Sequence, residues 1–329
     1  MTAALFNPFE PLSFGQDICF LTGQKLDESN KHLVSAFPTW VLERYNLGQK
    51  NLVMLDYHQI KYKDLLLPAS KEVAEAVNNL DAITQKAFEE GYEAVIKLPE
   101  LTLFQWMARV MYGVLYQDFT YVISQHKKTG ENLEFNSLTH QKVKNLHFML
   151  QSLVRPIVFN GFKPWSMRVY RINISKDIFN YKDETRNLNF CLMMNDFGIA
   201  SSLQDNESVA NYNIDVLNEI GNATLHPAQF EELYARFIYT NYIMRNFDDY
   251  TLTQEDETIV FTLPDDTHKA YPRFSAWVDE TFAQVLANFW KPWGITITQI
   301  HTPPNSPISY LINEVTREFI KPDEITLPY

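Results

Sequence analysis

CFLTGQKLDESNKHLVSAFPTW, Cys19 to Trp40, is the stretch on which the reading of the fold turns. It opens in outline as a zinc knuckle would. Cys19-Phe20-Leu21-Thr22-Gly23 follows C-x-x-C-G, with Thr22 where the second sulfur belongs. A structural zinc takes four close ligands, mostly Cys and His, and no such set follows. Gly23 suits the positive φ of a tight turn. Phe20, Leu21, Phe37 and Trp40 can supply apolar contacts instead, each worth about 1.5–3 kcal/mol when buried. The stretch is therefore predicted to be a knuckle-like turn held by packing.

The 329-residue chain is 46% apolar and 14% aromatic, enough for two packed cores. Ten glycines and no Gly-rich phosphate loop leave nucleotide-binding motifs without support. Two distant cysteines, Cys19 and Cys191, give neither a disulfide framework nor a four-cysteine metal site. The N-terminus has no signal-peptide pattern, and a reducing cytoplasm is the simplest compartment. The longest apolar stretch, Leu101–Ser124, carries Arg109 near its middle. That charge would be costly in a bilayer, so a buried helix and no membrane contact are expected.

Net charge is −12 and unevenly placed. Residues 1–108 carry 9 basic and 14 acidic side chains, 109–176 carry 10 and 3, and 177–329 carry 9 and 23. The blocks are −5, +7 and −14: a basic middle between acidic ends. Acidic runs such as Asp248-Asp249 and Asp265-Asp266 read as solvated loops.

Apolar spacing predicts helices at Lys71–Glu90, capped by Gly91, then at Leu101–Ser124 and Leu138–Leu153. A short helix is expected at Phe37–Asn46, and short strands or turns at 17–22 and 51–67. Past the turn signal Phe159–Pro164 come β-prone runs at Met167–Ile174, Leu188–Met194, Ile199–Leu203, Thr258–Leu263 and Ile295–Ile300. Helices are expected at His226–Arg245 and Pro272–Trp290. The fold class is α+β. The expected division is 1–100, a helical segment 101–158 packed on it, and an α+β domain 159–329 with a mostly antiparallel sheet.

Phe37-Pro38-Thr39-Trp40-Val41-Leu42-Glu43-Arg44-Tyr45 resembles the F-P-x-W core of HNH-endonuclease-like bacterial proteins. Tyr62–Pro68 and Phe104–Tyr116 resemble that family's later segments. The resemblance covers about residues 17–120. It implies a treble-clef-like region whose functional positions have been replaced. Val34-Ser35 fall where the family has Glu-His, and His32 is the nearest imidazole. The metal positions fall on Cys19, Thr22, Ala69 and Glu72 (or Val73). An HNH site needs a base and a divalent metal against the scissile phosphate, so no cofactor is expected. The implied role is a catalytically inactive relative acting as a binding or interaction module for a protein or nucleic acid. One alternative is nucleic-acid binding through Lys127, Lys128, Lys142, Lys144, Arg155, Arg168 and Arg171. Another is an enzyme with a site in the C-terminal half, near Cys191 and the acidic residues.

Overall fold

A computed structural model describes residues 5–55, 57–129, 137–245, 249–264, 273–313 and 315–327. The elements begin with β1 (His32–Ser35), α1 (Thr39–Arg44), β2 (Asn51–Val53), β3 (Gln59–Lys61), β4 (Leu66–Ala69) and α2 (Lys71–Glu90). There follow α3 (Tyr92–Val95), α4 (Glu100–Thr129), α5 (Ser137–Leu150) and β5 (Ile157–Phe159). Then come β6 (Ser166–Arg171), β7 (Phe179–Glu184), β8 (Asn189–Met194) and β9 (Phe197–Ser202). The remainder is α6 (Ser208–Tyr212), α7 (Ile214–Ile220), α8 (Pro227–Ile243), β10 (Thr251–Glu255), β11 (Thr258–Thr262), α9 (Asp279–Trp290) and α10 (Ile297–Ile300). The architecture is α+β. No helix among the described residues is long and apolar enough to cross a membrane.

The chain forms two compact units, and neither is continuous in sequence. Unit 1 is Met1–Glu90, Lys97–Phe162 and Asp249–Leu263; unit 2 is Gly91–Ile96, Lys163–Asp248 and Pro264–Tyr329. The serial division expected from composition is corrected accordingly. Residues 249–263 leave the C-terminal half and join unit 1, because β11 pairs in parallel with β5 and antiparallel with β10.

In unit 1, α2 buries Val73, Val77, Leu80, Thr84, Ala87 and Phe88 on one face. Ile83, though apolar and on the same helix, is exposed. α4 is buried nearly all round from Leu103 to Tyr116, as a central helix must be. Gly113 lets it approach the segment after β1: an added Cβ would lie 2.5 Å from Ala36 Cβ. β1 pairs antiparallel with β4, His32 opposite Ala69 and Ser35 opposite Leu66. The 17–22 region is a turn closed by Gly23 N–H to Cys19 O at 3.0 Å. Gly23 has φ +70, and Phe6 packs where a Cβ would stand.

Unit 2 holds an antiparallel sheet in the order β6-β9-β8-β7. α8 packs on it through Phe230, Leu233, Tyr234 and Phe237 against Cys191, Met193 and Ala200. Its other side meets α9, with Ala228, Ala235 and Tyr239 against Phe282, Leu286 and Trp290. Two apolar faces explain why this helix is almost wholly buried. Ile295–Ile300 is a correction: the β-branched run is not a strand, and α10 is one helical turn. Thr296 N–H and Oγ both bond Gln299 Oε1, a capping box that outweighs β propensity. The helix expected from Pro272 begins at Asp279. Pro272 itself lies outside the described residues.

Candidate functional site

The knuckle-like turn sits on the start of α2. Phe20 N–H donates to Pro68 O at 2.8 Å, which ties the turn to β4. Cys19 is fully buried, with Sγ 3.9 Å from Ser70 Oγ. Ser70 stands immediately before α2, and its Oγ accepts from Val73 N at 3.4 Å. The polar neighbour of Cys19 is thus Ser70. Ala69 is buried in β4 and Glu72 is exposed on α2. Thr22 Oγ1 is buried with no partner among the described residues.

His147 of α5 holds the turn from the other side. Gln151 Nε2 donates to His147 Nδ1 at 3.3 Å, leaving Nε2–H to donate to Phe20 O at 2.9 Å. Gln151 also bonds both the N–H and the C=O of Phe6. Burial lowers the His147 pKa to about 4, so the ring is neutral at pH 7.

Arg109, from the middle of α4, lies at the end of β1. Its Nη1 donates to Ser35 O at 2.7 Å and its Nη2 to Asp81 Oδ1 on α2 at 2.6 Å. The Arg109 side chain is fully buried and that of Asp81 is 20% exposed. Burial pushes Asp81 up and Arg109 down, and each partner opposes the shift of the other. A guanidinium does not give up its proton in a protein, so a permanent cation joins β1, α2 and α4. Val34 is buried beside Ser35, and His32 is exposed at the first residue of β1. Three residues apart on a strand, His32 and Ser35 point to opposite faces. The sequence flagged Arg109 only as an obstacle to membrane insertion. A charge set among apolar residues of a helix was the available signal that a buried partner existed.

The donor set at the knuckle does not fit a structural zinc. One thiol, one hydroxyl at its side and a threonine oxygen fall short of four Cys or His ligands. Among the described residues, no group of three or more His, Cys, Asp or Glu is placed to hold a metal.

The basic block is divided between the two units. Lys128, Lys142, Lys144 and Arg155 belong to unit 1, whereas Arg168 and Arg171 belong to unit 2. Lys142 is buried, 2% exposed. Lys144 lies over the Phe148 ring, and Lys128 and Arg155 are exposed. Arg168 donates to Met167 O. Arg171 is paired with Glu93 at 2.5 Å and Asp196 at 3.3 Å, and stacks on Tyr92. The Lys127 side chain, Asp248, Asp265 and Asp266 lie outside the described residues.

Cys191 is fully buried in β8, and burial holds its thiol pKa well above the ordinary value, with Glu231 adding to the effect. Lys182 of β7 pairs with the Glu231 carboxylate. A protonated, enclosed thiol is a poor nucleophile. No family model, curated protein or solved structure matches the chain.

Proposed function

We propose that the chain is an HNH-like relative that has exchanged metal and base for a fixed internal cation, and that it acts in the cytoplasm as a non-catalytic binding module. The observation that carries this reading is Arg109. Its guanidinium is bonded to the carbonyl of Ser35, the residue where the family's histidine would fall, and to Asp81 on the following helix. A buried arginine there puts a permanent positive charge beside Ser35 and is itself neutralised by Asp81, a setting that disfavours a divalent cation. The single thiol of Cys19 beside the Ser70 hydroxyl, three Cys or His ligands short of a zinc set, supports the same reading. Lys142 is buried and Arg171 is paired with Glu93, which removes two of the seven basic candidates and favours a protein partner over nucleic acid.

Purified protein incubated with supercoiled plasmid and Mg²⁺, Mn²⁺ or Zn²⁺ should leave the plasmid intact. Cleavage that EDTA suppresses and His32→Ala abolishes would overturn the proposal. Duplex DNA and RNA, titrated across a salt series in EDTA, should show no steeply salt-dependent binding. A steep slope would transfer the partner assignment to nucleic acid, since that slope counts neutralised phosphates.

A further inference from the structure

We propose that unit 2 binds a small zwitterion of the α-amino acid class in a cavity of about 360 Å³. The site shares no residue with the Arg109 cradle and stands independently of the reading above. The walls come from α7, α8, Trp277 and the start of α9, with Ser306, Ser309 and Arg317 from the C-terminal region, all within unit 2. Such a volume is at the low end for small-molecule sites, which span roughly 300–1,000 Å³. It suits a ligand of amino-acid size.

The charges lining it are complementary and partly unspent. Arg236 is held by Glu232 one turn before it on α8, with Nε at 3.1 Å and Nη2 at 2.9 Å from the same oxygen. Glu232 is fully buried and also accepts from Ser309 Oγ and from the Tyr310 and Leu311 amides. That carboxylate is saturated, and it fixes the guanidinium, which lies 5.1 Å over the Phe282 ring. Nη1 of Arg236 has no partner among the described residues. Arg317 lines the same cavity, is exposed, and makes no ion pair among the described residues. It sits at φ +63, a left-handed conformation that L-residues seldom adopt. Its turn is closed by Arg317 N–H to Asn313 O at 2.9 Å. One pre-set and one open guanidinium form a carboxylate receptor.

The opposite charge is Asp279, the first residue of α9. It accepts from Trp277 Nε1 at 3.1 Å and Ser306 Oγ at 3.3 Å. Both donors are neutral, so they orient the carboxylate without cancelling its charge. An ammonium group would complete it. Trp277 and the edge of Phe282 add apolar lining for a ligand's side chain. A simple anion would leave Asp279 unanswered, and a simple cation would leave Arg317 unanswered.

Isothermal titration of the full chain with each free L-amino acid tests this. Saturable binding of at least one apolar or aromatic member is expected. N-acetylation or amidation of that amino acid should weaken it at least about tenfold, as loss of a charge-assisted contact does. Arg317→Ala and Asp279→Asn should each weaken it similarly, with unchanged circular dichroism. No saturable binding of any member at ~10 mM, equal binding of the N-acetyl form, or indifference to both variants would overturn the assignment.

Discussion

Lowering the pH should destabilise unit 1 through His147. The ring is fully buried, packed 4.8 Å from the Tyr112 ring and 5.6 Å from Phe6. Its pKa falls from 6.5 to about 4, because burial outweighs the bonds to Phe20 and Phe6. The folded value lies below the unfolded one, so the unfolded chain takes the proton first as pH falls. The stabilising contribution is complete above 6.5 and is lost progressively down to about 4. At 1.36 kcal/mol per pKa unit, the loss from this one site is about 3 kcal/mol. Urea unfolding followed by tryptophan emission, which reports on buried Trp106, measures it across that pH range. Carboxylates contribute their own slope, so the informative quantity is the difference from His147→Gln, which has no group titrating there. The wild-type chain should lose about 3 kcal/mol more than the variant between pH 6.5 and 4. Parallel curves would show that His147 titrates equally in both states and that the neutral ring bonded to Phe20 O is wrong.

Arg109→Met should cost about 3 kcal/mol, because it strands a mostly buried carboxylate. Adding Asp81→Leu should restore at least ~1 kcal/mol of that in a double-mutant cycle, and strict additivity would refute the pairing. Gly113→Ala should cost about 1–3 kcal/mol by overpacking against Ala36, with Ala36→Gly in the same chain recovering part of the loss; a neutral effect on urea midpoint would contradict the close approach. Asp205 carries the opposite pH sign from His147. It is buried, accepts from Ser166 N, Ser166 Oγ and Val209 N, and burial raises its pKa to about 6. The folded state takes its proton first, so stability relative to Asp205→Asn should rise as pH falls from 6 toward 4, read as a widening gap in urea midpoints.

The long helices of unit 1 were legible because α2 and α4 keep a regular apolar spacing with a charge or glycine at the break. The edge strand β7 was not, since Phe179-Asn180-Tyr181-Lys182-Asp183-Glu184 is half-buried throughout and shows no apolar run. α6 and α7 were missed for a related reason. Each is under two full turns in length or close to it, too short for periodicity to accumulate. At Ile295–Ile300 two local signals conflicted, and side-chain capping by Gln299 prevailed over β-branching. Around the candidate site the identities of Thr22, Val34 and Ser35 could be read directly, as residues unable to serve as a metal ligand set or a base. The buried ion pair beside them was hidden, because the Arg109–Asp81 contact joins residues 28 apart on separate helices. In unit 2 the Glu232–Arg236 spacing is visible on a helix, but only the fold sets Asp279 and Arg317 around the same cavity.

The strand β11, paired in parallel with β5 across a hundred residues of intervening chain, has a consequence in time. As the polypeptide leaves the ribosome, the first 162 residues cannot complete unit 1. Ile157, Val158 and Phe159 must wait, with their backbone groups unanswered, until Ile259, Val260 and Phe261 have been made. Much of unit 2 is synthesised during that interval. Waiting for so distant a partner carries a loop-closure cost and slows folding. A fragment ending near residue 160 would therefore be born with an open strand edge, a template for association with other chains.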